Sequence, residues 1–169
     1  MIHIVLYEPE IPQNTGNIMR TCMAANVKLH LIEPLGFLLD EKHVRRAGMD
    51  YIKDLDYTVY PNWETFMEQH NQGDFYYMTR DGKKAPSQFD FTQAKGDLYL
   101  VLGKESTGIP KEILAHQLDR CMRLPMVPNA RSLNLSNCAA IILYEVLRQL
   151  DYPGLCTHET LKGEDWLEV

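Results

Sequence analysis

The 169 residues predict an α/β fold: a parallel sheet between two layers of helices. Three observations point there. Short apolar, β-branched runs alternate with helical patterns along the chain. The best-defined runs are apolar almost throughout, as strands buried on both faces are. Proline, glycine and polar clusters stop each run where a strand should end.

Ile2 to Tyr7 (IHIVLY) reads as a buried first strand ended by Pro9 and Pro12. Asn14 to about Asn26 turns helical, with Ile18, Cys22 and Ala25 on one face and Asn14 or Thr15 as candidate caps. Lys28 to Ile32 (KLHLI) is a second strand, stopped by Pro34 and Gly36, and a short basic helix is expected from Glu41 to Ala47. Asp56 to Tyr60 reads as a strand, Trp63 to His70 as a helix and Phe75 to Thr79 as a fourth strand. Asp97 to Leu102 (DLYLVL) is the clearest strand, followed at once by Gly103. Pro110 suits the first position of a short helix. Arg120 to Leu124 is a last strand, and Leu135 to Leu150 the strongest helix, with Leu135, Cys138 or Ala139, Ile142, Val146 and Leu150 at helical spacing. An aromatic such as Tyr144 at that spacing is expected in the core, or else at a subunit contact.

No internal repeat or low-complexity linker appears, so one domain is expected over residues 1–154, followed by an acidic tail over 155–169. From Glu159 to Val169 the tail has four acids against one lysine, and only Leu161, Trp166 and Leu167 offer packing. Lys plus Arg is 17 and Asp plus Glu is 23, a formal charge of −6. That balance argues against a DNA-coating protein but leaves room for RNA met through a local patch. No long apolar run or basic-then-apolar leader is present, so neither a membrane span nor a signal peptide is expected. Cys22, Cys121, Cys138 and Cys156 form no C-x-x-C pair, which fits reduced thiols in the cytoplasm and no metal site.

In parallel sheets ligands sit beyond the carboxyl ends of the strands. That rule selects three loops: Glu8 to Asn17, Gly103 to Pro110, and Pro125 to Asn134. The middle loop is neither a Walker loop nor a dinucleotide fingerprint, and by itself reads as a tight turn with Glu105 in solvent. The last crowds Ser132, Asn134, Ser136 and Asn137 at a helix start, more polar groups than capping needs. Arg20, one or two turns into the first helix, reads on its own as a surface ion-pair residue.

Together the loops carry N-x-G-x-x-x-R at Asn14, Gly16 and Arg20, G-x-E-x-x-G at Gly103, Glu105 and Gly108, and P-x-x-R-S-L-N-L-S from Pro128 to Ser136. In order and spacing these resemble the three motifs of the SpoU branch of the SPOUT RNA 2′-O-methyltransferases, over Ile2 to about Gly154. Val5 to Pro12 (VLYEPEIP), Arg45-Arg46-Ala47-Gly48 and Met126-Val127-Pro128 look most like its minimal subgroup, which methylates cytidine or uridine 34, the tRNA wobble nucleotide.

The resemblance implies a deep C-terminal trefoil knot, against the general rarity of knots. It also implies a homodimer whose active site combines both subunits. It implies S-adenosylmethionine as cofactor, with S-adenosylhomocysteine as product, held against Met78, Thr79, Gly103, Leu124, Met126, Ser132 and Leu133. Glu105 joins this set, ordering the cofactor loop or a neighbouring arginine. Arg20 is implied as the catalytic residue beside the ribose 2′-hydroxyl. A guanidinium keeps its proton, so stabilising an alkoxide and gripping a phosphate suits it better than acting as a base. Asn14 and Asn134 are expected near the substrate, fixing the loop and the helix start.

For the tRNA anticodon stem-loop, Lys42, Arg45, Arg46 and Lys53 against one Asp, together with Arg80, Lys83, Lys84 and Arg131 on ligand-side loops, are candidate phosphate contacts. A solvated basic helix is the alternative for the first group. Three functional alternatives stand at this point: a 2′-O-methyltransferase for another tRNA or rRNA position, a non-catalytic knotted RNA-binding protein and, setting the resemblance aside, a small flavodoxin-like or nucleotide-binding domain, for which no recognisable phosphate loop is present.

Overall fold

The computed structural model describes residues 1–40, 42 and 54–168. Most of the expected basic helix over Glu41 to Ala47, with Arg45 and Arg46, lies outside them, as does Lys53. Six strands form one sheet: β1 (Ile2–Tyr7), β2 (Lys28–Ile32), β3 (Tyr57–Tyr60), β4 (Asp74–Met78), β5 (Leu98–Gly103) and β6 (Cys121–Met122). Their order is β3-β2-β1-β5-β4-β6, and every pair is parallel. The chain builds outward from β1 to β3, then crosses to the other side for β4. The direction of winding therefore reverses between β1 and β5, which run side by side from Ile2↔Leu98 to Tyr7↔Gly103. A crevice outside the carboxyl ends is expected at such a switch point.

Among the described residues four helices cover the sheet: α1 (Pro12–Ala25), α2 (Trp63–His70), α3 (Lys111–Leu114) and α4 (Leu135–Gln149). Successive strand residues point to opposite faces. Ile2, Ile4 and Leu6 accordingly pack with Ile18, Met19 and Cys22 of α1 and Ile142, Leu143 and Val146 of α4. Val5 joins Ile32, Phe66 of α2, Val101 and Leu114 of α3 on the other face. The three layers and the parallel sheet agree with the sequence reading.

Four local expectations need correction. Helix α1 starts at Pro12 behind Ile11, which caps nothing through its side chain. Asn14 and Thr15 are buried within the first turn instead, because proline at the first helical position needs no amide partner. The last strand shrinks to Cys121–Met122; its neighbour β4 stops at Met78, and Pro125 has no amide to extend a ladder. Pro110 stands just before α3 as its cap residue, one place earlier than expected. In the tail, Leu161, Trp166 and Leu167 are exposed rather than packed.

Between α2 and the sheet lies a polar chain, buried at His3, His30, Tyr60 and Tyr99 and half-buried at His70, the last residue of α2. His3 Nδ1 is 2.8 Å from His30 Nε2, and His30 Nδ1 is 2.9 Å from the Tyr60 hydroxyl. That hydroxyl is 2.9 Å from His70 Nε2, and His70 Nδ1 is 3.0 Å from the Tyr99 hydroxyl. One proton per imidazole, placed on Nε2, satisfies every link: each Nδ1 accepts, and each Nε2–H donates toward the next group. His3 Nε2 faces Asp97 at 3.4 Å, long for a hydrogen bond, and Asp97 also holds the terminal ammonium at 3.1 Å. Burial pushes all three histidines below their ordinary value, His30 to about 3.

Candidate active site

A cleft of about 720 Å³ opens at the switch point, bounded by the loops after β1, β4, β5 and β6 and by the start of α4. Its size falls within the roughly 300–1,000 Å³ usual for small-molecule sites. Met78, Thr79, Gly103, Glu105, Leu124, Met126, Ser132 and Leu133 all line it, as do Asn14 and Asn134. Arg20 and Arg131 are not among the lining residues; both are exposed. No ion pair holds Arg20 among the described residues, so the surface-pair explanation for it has no support there.

Each wall has a local cause. Gly103 ends β5 at φ +102°, and a Cβ there would sit 2.5 Å from the Tyr7 carbonyl oxygen, so only glycine passes. Asn134 caps α4: its Oδ1 accepts the amides of Ser136 at 2.9 Å and Asn137 at 3.4 Å, while its Nδ2 donates to Asn14 Oδ1 at 2.9 Å. The two asparagines therefore join the starts of α1 and α4. Thr79 shapes the turn after β4, its hydroxyl accepting the Asp81 amide at 3.2 Å.

Glu105 is turned toward the backbone of the β1–α1 loop. Its carboxylate accepts the Glu10 amide at 2.9 Å and the Ile11 amide more closely, a favourable place for a negative charge at a helix N-terminus. In return the Glu10 carboxylate accepts the Ser106 amide at 2.9 Å and hydroxyl at 2.6 Å, and these bonds hold it below the usual carboxylate range. Lys104 pairs with Glu8 on the same side. The motif glutamate thus orders a loop, with no arginine bonded to it among the described residues.

Sequence reasoning passed over several residues here. Glu10 and Glu8 act on residues almost a hundred positions away, and no local pattern announces such a partner. Arg123 lines the cleft beside Arg80, donating to the Arg80 carbonyl at 2.6 Å; it was hidden inside an expected strand. Cys138 also lines the cleft, but burial raises its thiol pKa, which disfavours the thiolate. Among the described residues no group of three or more His, Cys, Asp or Glu is placed to hold a metal ion, and no helix is long and apolar enough to cross a membrane.

The family model of the SpoU rRNA methylase family matches residues 1–144, a span that contains all but the last part of α4 and includes all three motif loops. The chain belongs to the SpoU rRNA methylase family. It is 45% identical over 155 residues to the tRNA (cytidine(34)-2′-O)-methyltransferase of Escherichia coli strain K12, covering 91% of this chain and 97% of that one. A solved structure described as giving insight into the 2-OH methylation of C/U34 on tRNA superposes with a TM-score of 0.81 at 38% identity, covering 89% of this chain and 97% of that chain. An AdoMet-bound rRNA methyltransferase from Sinorhizobium meliloti superposes with a TM-score of 0.75 at 27% identity, over 88% of this chain and 56% of that one.

Proposed function

We propose that this protein is a tRNA ribose 2′-O-methyltransferase acting on cytidine or uridine 34, with S-adenosylmethionine as methyl donor. The observation that carries the reading is the meeting of the three motif loops around one cleft at the β1–β5 switch point. The 45% identity to a cytidine-34 methyltransferase across almost the whole of both chains supports the substrate.

The residues present fit the cofactor. Met78, Leu124, Met126 and Leu133 offer apolar surface for an adenine ring, and Thr79, Ser132 and the backbone after Gly103 offer hydrogen bonds. When bound, S-adenosylmethionine supplies an electrophilic methyl group. The protein must then align a ribose hydroxyl with it, an alignment worth several kcal/mol. Arg20 suits the other half of the task. As a fixed cation it stabilises the developing 2′-oxyanion and grips a neighbouring phosphate, while water or a phosphate oxygen takes the proton.

Arg20 lies outside the cleft of its own chain, and this reading places it at the cleft of a second subunit. The protein then works as a homodimer. Ile141 and Tyr144, one turn apart on α4, are 46% and 45% exposed; α4 packs beside α1, and these apolar groups suit a subunit contact. The chain is read as knotted. In support, the segment after β4 is bonded across the later chain by Thr79 to Met122, Arg123 to Lys84 and Arg80, and Gln149 to Phe89 and Phe91. Residues 1–154 form the catalytic unit and 155–169 an acidic tail, in a cytoplasmic enzyme. Arg80 and Arg123 at the cleft, with Lys83, Lys84, Arg131, Arg45 and Arg46, are assigned to tRNA phosphates.

The test is transfer of labelled methyl to unmodified tRNA, with Arg20→Ala alongside, followed by digestion and mapping. Label at nucleotide 34, lost in the variant while cofactor binding survives, is the expected result. Label at another position would overturn the substrate. No label, with cofactor bound, would favour a non-catalytic RNA-binding protein.

A further inference from the structure

Glu10 does not line the cleft, yet it is half of a reciprocal arrangement beside it. Its backbone amide donates to Glu105, and its carboxylate accepts both the amide and the hydroxyl of Ser106. Glu105 and Ser106 belong to the cleft wall; Glu10 and Ile11 belong to the start of α1. Two loops are therefore pinned in both directions, with the Glu8–Lys104 ion pair on one flank and the Asn14–Asn134 bond on the other. Helix α1 has no side-chain cap from its own N-cap residue, so its entry angle depends on Glu105, from another part of the chain. Arg20 sits on this helix, six positions beyond Asn14.

We propose that Glu10 is a positioning residue: with Glu105 and Ser106 it forms a clasp through which a molecule bound in the cleft sets the helix that carries Arg20. The inference rests on the function proposed above. A ligand that orders the loop after β5 stiffens Glu105 and Ser106 together, and the clasp passes that order to the backbone at residues 10 and 11. The communicating groups are charge-assisted hydrogen bonds, which are stronger and more directional than neutral ones. Transfer between such elements requires no movement beyond a change in how tightly the helix start is held.

The experiment measures amide hydrogen exchange over residues 8–16 of the full chain, with and without S-adenosylhomocysteine. Wild type, Glu10→Ala, Glu10→Gln and Ser106→Ala are compared, beside calorimetric affinity for the same molecule and single-turnover methyl transfer to tRNA. In the wild type the probe should slow exchange over this segment by about tenfold. In Glu10→Ala that slowing should vanish and transfer should fall by about tenfold or more, while probe affinity stays within about threefold. Glu10→Gln should recover part of both effects, because its amide oxygen still accepts the Ser106 amide. Ser106→Ala, which keeps the backbone bond, should show an intermediate loss.

Undiminished protection in Glu10→Ala would overturn the clasp, as would an affinity loss matching the loss of transfer, which would make Glu10 a determinant of binding instead. A wild type that binds no probe would overturn both this inference and the proposed function. Protection that depends on Glu10, in a wild type that transfers no methyl to tRNA, would support the clasp and overturn the substrate.

Discussion

Acidification from about pH 7.5 to 5 should destabilise this protein well before its carboxylates titrate, because two buried histidines, His3 and His30, and the half-buried His70 are held in neutral form. In the chain His3–His30–Tyr60–His70–Tyr99, the tautomer with protons on Nε2, which turns His3 Nε2–H toward Asp97, uses every Nδ1 as an acceptor. A second proton on any imidazole sets two donors against each other or forces a tyrosine hydroxyl to reverse. Burial is the leading cause of the downward shift at all three. The sign follows from linkage. A base whose folded pKa is depressed binds its proton in the unfolded chain first, so stability is full above the unfolded value near 6.5 and falls below it. His30, held at about 3, stays neutral throughout this window and by itself removes about 1.4 kcal/mol per pH unit, or about 2 kcal/mol between pH 6.5 and 5. His3 and His70, shifted the same way, steepen the fall. Asp97 is also lowered: burial opposes its charge, but the terminal ammonium and His3 outweigh it. A depressed carboxylate withdraws stability only as pH falls past its unfolded value of about 4, outside this window. Urea unfolding at several pH values, read with constant m-values, gives the proton uptake directly. An average uptake well below about 0.8 proton between pH 6.5 and 5, which a neutral His30 supplies by itself, would refute the neutral-chain assignment.

Gly103→Ala should cost at least about 1–3 kcal/mol and disrupt the cleft, since its Cβ would lie 2.5 Å from the Tyr7 oxygen at φ +102°; urea midpoint and cofactor affinity both report it. Asn134→Ala removes the cap of α4 and the donor to buried Asn14, so a loss of about 1–2 kcal/mol is expected in the same assay. Ile141→Asp should yield monomers by sedimentation, with transfer lost and cofactor binding retained, if the exposed face of α4 is the subunit contact. Arg20→Lys should keep little transfer activity, because an ammonium cannot form the planar fork. Full activity in that variant, measured with labelled methyl, would count against phosphate gripping by the guanidinium.

Much of the architecture is legible because it is written locally. The IHIVLY and KLHLI runs become β1 and β2 with the expected bounds, and Trp63–His70 is a helix as expected, because periodicity and punctuation act over a few residues. Errors fall where a distant partner decides. Cys121–Met122 is short because β4 ends first. Tyr144, expected in the core or else at a subunit contact, is exposed in the single chain, since helical spacing marks apolar positions without saying which neighbour covers them. Glu105, expected in solvent or else ordering the cofactor loop or an arginine, does order a loop, but through backbone amides at a helix start 94 residues away, which no local pattern names.

The sequence by itself determined the alternation of strands and helices, the three loops that line the cleft, and ten residues that meet there. The elements and the loops follow from short-range sterics, hydrophobic period and the rule that parallel strands present their carboxyl ends together, whereas the ten residues follow from the resemblance of the three motifs to the SpoU family. Only the tertiary structure decided the order β3-β2-β1-β5-β4-β6, the Glu10–Glu105 clasp, the histidine chain beneath α2, and the separation of Arg20 from its own cleft. Each depends on which distant surfaces bury one another. That choice is made by the free energy of the whole packed chain, which no short window of sequence contains.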